Sequence, residues 1–125
     1  TLKGNFKLTD EGSVKKYLGV DVKTHADSSI ELRQPFLIQR LITLMGLESA
    51  NEQDVPVVNP LLHKDAGGAD RMSTWNYCLA VGILNYIANS TRPDVSFATH
   101  QCARFFNDPK TLHETAIKHV GKYLK

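Results

Sequence analysis

The stretch that decides the fold is YCLAVGILNYIANSTRPDV, residues 77–95. The apolar residues of this region recur at the three- and four-residue spacing of an amphipathic helix, at Trp75, Cys78, Leu79, Gly82, Ile83, Tyr86 and Ile87. Pro93 ends the pattern, because the residue before a proline is pushed out of the helical region and proline favours a new first turn. The pattern predicts one long helix with Ser73 as its N-cap, and a second helix after Pro93.

The flanking segments predict two further helices. One begins at Pro35 and ends at Gly46, with a buried stripe expected at Leu37, Leu41, Leu44 and Met45. For the helix after Pro93 and for the last helix, the expected buried residues are Val95, Ala98, Cys102, Phe105 and Phe106, and then Leu112, Ala116, Val120, Tyr123 and Leu124.

The N-terminal third has the two-residue period of β-strands. Residues 17–22 and 30–34 alternate, and residues 25–29 between them have turn composition, which predicts a β-hairpin. Gly19 then lies mid-strand, where glycine marks a bulge or a close approach of another backbone; a nucleic-acid strand and a neighbouring helix are both open. The sequence therefore predicts an α+β fold, with a lead-in and hairpin over 1–34 and about four helices over 35–125, in one compact unit.

Composition is that of an ordinary globular domain. The chain has 125 residues, 42% hydrophobic and 22% charged, and no apolar run near the ~18 residues of a membrane span. Because it begins with Thr1, we expect an excised segment. Its two cysteines, Cys78 and Cys102, lie in no metal-binding spacing, so we expect buried free thiols, a reducing compartment and an intracellular, non-secreted location.

The charge is unevenly distributed. Net charge is only +2, but residues 92–125 carry six Lys/Arg against three Asp/Glu. Such a cluster either attracts phosphates or forms an ordinary solvated helix face.

The sequence offers no catalytic constellation. The five histidines form no i, i+4 pair, and no glycine-rich phosphate loop or nucleophile motif is present. Asp10, Glu11 and Asp21 are better explained by turns than by a two-metal site. We therefore expect no enzyme activity, no metal and no cofactor in this chain.

Several weak motifs occur in a fixed order, and together they resemble copia-type retrotransposon reverse transcriptases. The resemblance covers about residues 6–125, and it rests on Phe6-x-Leu8-x-Asp10-x-Gly12, Tyr17-Leu18-Gly19-Val20-Asp21-Val22, Ile30-x-Leu32-x-Gln34, Ile38-x-x-Leu41-x4-Gly46, Pro56, Tyr77-x3-Val81-Gly82-x-Leu84-x-Tyr86-x4-Thr91-Arg92-Pro93-Asp94-Val95, Phe105-x3-Pro109-x3-His113-x2-Ala116-x-Lys118 and Tyr123-Leu124-Lys125. One departure is Glu114, where the family usually has an aromatic residue.

The resemblance implies a piece of a Pol polyprotein between the polymerase palm and RNase H. Residues 17–34 are similar to the primer-grip hairpin, and the helices to the thumb and connection. The Tyr-x-Asp-Asp strand that holds magnesium ions in the parent polymerase is absent from this sequence. The implied function is non-catalytic: gripping the primer strand and holding an RNA–DNA or DNA duplex within a transposable element whose Pol polyprotein also serves DNA integration.

For this role we predict three groups of nucleic-acid contacts. Leu18, Gly19 and Val20 would approach the primer end; the helices would contribute Asn85, Thr91 and Arg92; and phosphates would be met by Lys118 and Lys122. Three alternatives stay open: Asn85 in a helix–helix hydrogen bond, Arg92 paired with Asp94, and solvated lysines including Lys125. Expected partners are the palm, fingers and RNase H parts of the polyprotein, and no membrane. The alternative function is a protein-interaction module, a homodimer included, that uses the apolar face of the hairpin.

Overall fold

The computed structural model describes residues 16–17, 19–57, 62–64 and 67–125. It begins with an antiparallel sheet in the order β1-β2-β3, in which β1 is Lys16–Tyr17, β2 is Val20–Thr24 and β3 is Ile30–Arg33. Strands β2 and β3 form the predicted hairpin, with Asp21 opposite Arg33 and Val22 opposite Leu32. The short strand β1 was not predicted as a separate element.

Gly19 lies in a tight turn and not in the middle of a strand, so the predicted position was wrong. Tyr17 pairs with Val20, which leaves only residues 18 and 19 to connect β1 to β2. Gly19 has φ 79°, in the left-handed region that a residue with a Cβ rarely adopts. A Cβ added there would still be 4.0 Å from the nearest atom, Cδ1 of Leu37. The turn therefore explains the glycine, and close packing does not.

Within the described residues four α-helices follow the sheet, which confirms the predicted fold. They are α1 Pro35–Met45, α2 Tyr77–Ser90, α3 Ser96–Ala103 and α4 Thr111–Leu124, with a 3-10 helix at Pro93–Val95 between α2 and α3. Local chemistry sets several ends: Pro35 opens α1, and Gly46 closes it with φ 66°. The predicted N-cap of α2 was wrong, because Asn76 and not Ser73 accepts the hydrogen bond from the Leu79 backbone N–H at 3.0 Å.

The core lies between the four helices. Its fully buried apolar side chains among the described residues include Leu41, Leu84, Ile87, Val95, Ile117 and Val120. The stripe predicted for α2 was right at Ile83 and Ile87 but wrong at Cys78, Leu79, Gly82 and Tyr86, which are exposed. Nearly every residue of α2 is apolar, so two stripes are compatible with the helical period, and packing against α1 and α3 selects the other one.

The apolar face of the hairpin is only partly covered. Val20 and Val22 are half-buried, whereas Ile30 is 66% and Leu32 48% exposed. No helix among the described residues is long and apolar enough to cross a membrane.

Candidate nucleic-acid interface

The predicted contacts Gly19 and Val20 lie at the root of the β2–β3 hairpin, next to the start of α1. Gly19 is exposed in the β1–β2 turn and Val20, the first residue of β2, is half-buried. Leu18 lies outside the described residues. An exposed glycine turn allows a close approach by another chain, because no side chain projects from it.

Arg92 is held by an internal ion pair. Its Nε and Nη2 donate to the two carboxylate oxygens of Asp94 at 3.0 and 2.7 Å, and the Tyr123 hydroxyl donates to Asp94 at 2.6 Å. The hydrogen bond from Arg92, opposed by partial burial and reinforced by Tyr123, lowers the pKa of Asp94 to about 2. The pairing of Arg92 with Asp94 is the stated alternative for Arg92, and the hydrogen bond from Tyr123 connects this pair to α4.

Thr91 and Asn85 also have internal partners. The Thr91 hydroxyl donates to Oε1 of Gln34 at 2.7 Å, and Asn85 accepts a hydrogen bond from the Asn89 side chain at 3.3 Å. Gln34 is 1% exposed and stands between β3 and α1, so its bond to Thr91 joins the root of the hairpin to the end of α2. Nε2 of Gln34 has no hydrogen-bond partner among the described residues. Asn85 remains exposed at the surface of α2.

The basic residues of the C-terminal region are mostly engaged. Lys118 pairs with Glu114 at 2.9 Å, and Lys125 donates to the backbone oxygens of Glu48 and Ala50 at 2.6 and 2.8 Å. Lys122 is half-exposed and has no ion pair in the part of the chain that is described. Of these three lysines, Lys122 is therefore the one whose ammonium group is available to a phosphate without losing a described partner.

A polar cluster around Glu114 was missed by the sequence reasoning. The Glu114 carboxylate accepts hydrogen bonds from Arg71 at 2.8 Å and Ser73 at 2.5 Å, and it pairs with Lys118. Burial alone raises the pKa of Glu114, but hydrogen bonds from Ser73, Lys118 and Arg71 outweigh it and lower the pKa. Arg71 also lies over the Trp75 ring, 4.4 Å from its centroid. The signal in the sequence was that Glu114 departs from the pattern of the family that the sequence resembles.

The outer face of α1 was also missed. Gln39, Arg40 and Thr43 are exposed there, and they line an open groove of about 490 Å³ with Phe36, Leu44 and Leu79. Arg40 has no ion pair with any residue that the structure describes. The signal available in the sequence was the group of polar residues Gln39, Arg40 and Thr43, which lie outside the predicted stripe, whereas Leu44 in the same groove belongs to it. An uncompensated guanidinium beside amide and hydroxyl groups is suited to phosphate and sugar contacts.

Metal-ligating side chains do not converge in the described region. Within residues 16–17, 19–57, 62–64 and 67–125, no group of three or more His, Cys, Asp or Glu is placed to hold a metal ion. The buried His113 is used structurally: its Nδ1 accepts from the Lys110 backbone N–H at 2.9 Å, and its Nε2 contacts the His63 backbone oxygen at 2.8 Å. Cys78 and Cys102 are free thiols; Cys102 is buried, but Cys78 is exposed, contrary to expectation.

Comparison with curated proteins finds similar sequences in transposon Pol polyproteins. The chain is 26% identical over 134 residues to the retrovirus-related Pol polyprotein from transposon TNT 1-94 of Nicotiana tabacum, covering 99% of this chain and 10% of that protein. It is 26% identical over 123 residues to the retrovirus-related Pol polyprotein from transposon RE1 of Arabidopsis thaliana, covering 98% of this chain and 8% of that protein. Over nearly its whole length, the chain is therefore similar to part of the retrovirus-related Pol polyproteins of transposons.

This relationship confirms the resemblance that the ordered motifs predicted. An uncharacterized mitochondrial protein of Arabidopsis thaliana is a further relative, 27% identical over 125 residues, which cover 99% of this chain and half of that protein. The chain thus spans half or less of the length of these curated relatives. No family model matches the sequence, and no solved structure matches the fold.

Proposed function

We propose that this chain is a non-catalytic part of a retrotransposon reverse transcriptase that grips the primer strand and holds the template–primer duplex. Its relatives are Pol polyproteins, and the family's metal-binding Tyr-x-Asp-Asp motif does not occur in its sequence. In-line attack at a nucleotide phosphate needs metal ions held by carboxylates. We assign those carboxylates to another part of the parent polyprotein.

The observation that carries the proposal is the exposed polar group of Gln39, Arg40 and Thr43 on α1, close to the β1–β2 turn at Gly19. Arg40 in this group has no ion pair with a described residue. Leu37, near the start of α1, has the side chain nearest to Gly19, so the turn and the first helical turn are neighbours. Arg40 lies one turn further along α1, about 5 Å at 1.5 Å per residue. A duplex end placed against the turn would therefore meet Arg40, Gln39 and Thr43 along its backbone.

The predicted contacts fall into two classes under this proposal. One class already has internal hydrogen-bond or ion-pair partners, which a phosphate would have to share or displace: Thr91, Arg92 and Lys118. Arg40 and Lys122 have no such partner among the described residues. We therefore expect Arg40 and Lys122 to contribute more to duplex affinity than Arg92 and Lys118 do.

Duplex binding by the 125-residue chain tests the proposal. Fluorescence anisotropy with a labelled primer–template should give an affinity that falls with salt, by a slope of about −0.9 for each phosphate contacted on DNA. Arg40→Ala should make that negative slope shallower by about 1. The matched control is Arg104→Ala, which removes an exposed arginine at the end of α3. Absence of duplex binding, or equal effects of the two substitutions, would contradict the proposed interface.

The non-catalytic assignment has its own test. Purified chain incubated with primer–template, nucleotides and magnesium ions should incorporate no nucleotide above a protein-free blank. Magnesium-dependent incorporation by this chain would overturn the assignment, whatever its duplex affinity.

A second candidate is the interaction module, which the exposure of Ile30 and Leu32 favours. Apolar side chains left uncovered on a short sheet are typical of a surface that meets another protein. Duplex affinity separates this candidate from the first, because an apolar protein contact requires no phosphate.

A further inference from the structure

Strand β3 lies at the edge of the described sheet. The order β1-β2-β3 pairs one side of β3 with β2, and no described strand pairs with its other side. Its four residues alternate between the exposed apolar Ile30 and Leu32 and the charged Glu31 and Arg33. An open strand of this kind is a template for pairing with another strand.

The charge pattern of β3 complements itself in antiparallel pairing. If Leu32 lies opposite Leu32 of a second copy, Glu31 of each copy lies opposite Arg33 of the other. Residues directly opposite each other share one face of the sheet, so the apolar and charged faces remain continuous. A two-fold axis produces both Glu31–Arg33 pairs together.

Neighbouring registers do not have this property. A shift that places Glu31 opposite Glu31, or Arg33 opposite Arg33, sets like charges against each other. A one-residue slip brings the charged face of one strand onto the apolar face of the other. Of these registers, only the one centred on Leu32 satisfies both the charge pattern and the face pattern.

The intramolecular pairing extends the same alternation. In the β2–β3 register Lys23 is opposite Glu31, and Asp21 is opposite Arg33. Across the proposed junction, one row of the sheet would read Lys23 and Glu31 of one copy, then Arg33 and Asp21 of the other. The signs alternate along the whole row.

We propose that two copies of this chain associate through β3, forming one continuous antiparallel sheet centred on Leu32. Glu31 and Arg33 fix the register, and Leu32 meets Leu32 of the second copy directly, whereas Ile30 lies opposite Gln34 and reaches that leucine only diagonally. This inference deepens the interaction-module candidate and does not rest on duplex holding, because no residue of the α1 groove takes part.

A mixing experiment tests the proposal with two single substitutions. Glu31→Lys places two cations opposite each other in the homodimer, and Arg33→Glu places two anions there. When the two variants are mixed, Lys at 31 meets Glu at 33, and the unchanged Arg33 meets the unchanged Glu31. Glu52→Lys is the matched control, since Glu52 is exposed and lies outside the sheet.

Sedimentation equilibrium over a micromolar-to-millimolar range gives the readout. We expect a wild-type dimer, about tenfold weaker dimerisation of each single variant, and restored dimerisation of the equimolar mixture. Within one chain, each substitution also disturbs its pairing with β2 and the Glu31–Arg33 ion pair at 3.5 Å, and Glu31→Lys removes the Glu31–His25 contact at 3.0 Å. These defects persist in the mixture, so only an intermolecular contact explains rescue. Circular dichroism checks that each variant is folded.

Three outcomes would overturn the proposal: a wild-type monomer at every concentration, single variants that dimerise as well as Glu52→Lys, or a mixture that gains nothing. A monomer would mean that another part of the polyprotein, or no partner, meets β3. Duplex affinity measured on the same samples reports separately on the proposed function.

Discussion

Replacing Glu114 by Gln should destabilise the fold by about 2–3 kcal/mol at pH 7. The substitution keeps the shape but removes the charge that meets Arg71 at 2.8 Å and Lys118 at 2.9 Å. The Glu114 and Arg71 side chains are only 10% and 15% exposed, so water replaces the lost interaction poorly. Hydrogen bonds to charged groups contribute about 1.5–3 kcal/mol, and breaking a fully buried pair costs about 3–5 kcal/mol. We expect a loss in the lower part of these two ranges, because the side-chain oxygen of the glutamine still accepts one of the hydrogen bonds.

The pH dependence of that loss gives a second, independent check. Glu114 has a folded-state pKa below the unfolded value of 4.5, so its charge stabilises the fold above pH 4.5. This contribution is lost as the pH falls through the folded pKa. The difference between wild type and Glu114→Gln should therefore shrink in acid. Glutamine takes up no proton in the folded or the unfolded chain, so the variant lacks this pH-dependent contribution to stability.

Urea unfolding followed by circular dichroism measures both effects. Glu52→Gln is the matched control, because the same change is made at an exposed glutamate that has no ion pair among the described residues. We expect the control to change the free energy of unfolding by less than about 0.5 kcal/mol. A loss of that small size for Glu114→Gln, or a larger loss that is constant from pH 7 to pH 3, would refute the proposed cluster energetics.

Three further substitutions probe other parts of the structure by the same urea assay. Leu84→Ala should cost about 2–5 kcal/mol because Leu84 is fully buried, whereas Leu79→Ala, at a residue 41% exposed on the same helix, should cost less than about 1 kcal/mol. Equal losses would mean that the buried face of α2 is misassigned. Gly19→Val should cost about 1–2 kcal/mol because it forces a branched side chain to φ 79°; an unchanged stability would exclude that turn. Asp94→Asn should remove about 1 kcal/mol, reduced by screening at a 40% exposed carboxylate, and this loss should be fully present above pH 4 and shrink as the pH falls through about 2; a loss as large at pH 2 as at pH 7 would contradict the ion pair.

Helix ends with local chemical causes could be predicted from sequence. Pro35 at the start of α1 and Gly46 at its end act through their own backbone preferences, so neighbouring residues suffice to place them. The same holds for the break before Pro93. The α+β architecture followed from these local signals together with the two periodicities.

The buried face of α2 could not be predicted in the same way. The helix carries apolar residues on most of its surface, and the choice between Leu84 and Leu79 depends on where α1 and α3 pack. Gly19 shows a related limit. Glycine signals both a mid-strand bulge and a tight turn, and only the pairing of Tyr17 with Val20 distinguishes them.

The polar clusters depend on contacts that are distant in sequence. Glu114 meets Arg71 and Ser73 across 43 and 41 residues, and Thr91 meets Gln34 across 57. No spacing rule connects such positions. Arg92 was the exception, since Asp94 lies two residues away and the pair was a stated alternative to a nucleic-acid contact.

The buried Gln34–Thr91 hydrogen bond makes the base of the hairpin a poor hinge. A swing of the β-strands about residue 34 would either break this bond and bring a buried amide into water or carry the end of α2 with it. Force applied at the β-strands is therefore transmitted into the helices. A bound molecule that displaces the β-strands would therefore also displace the end of α2, to which Gln34 is hydrogen-bonded.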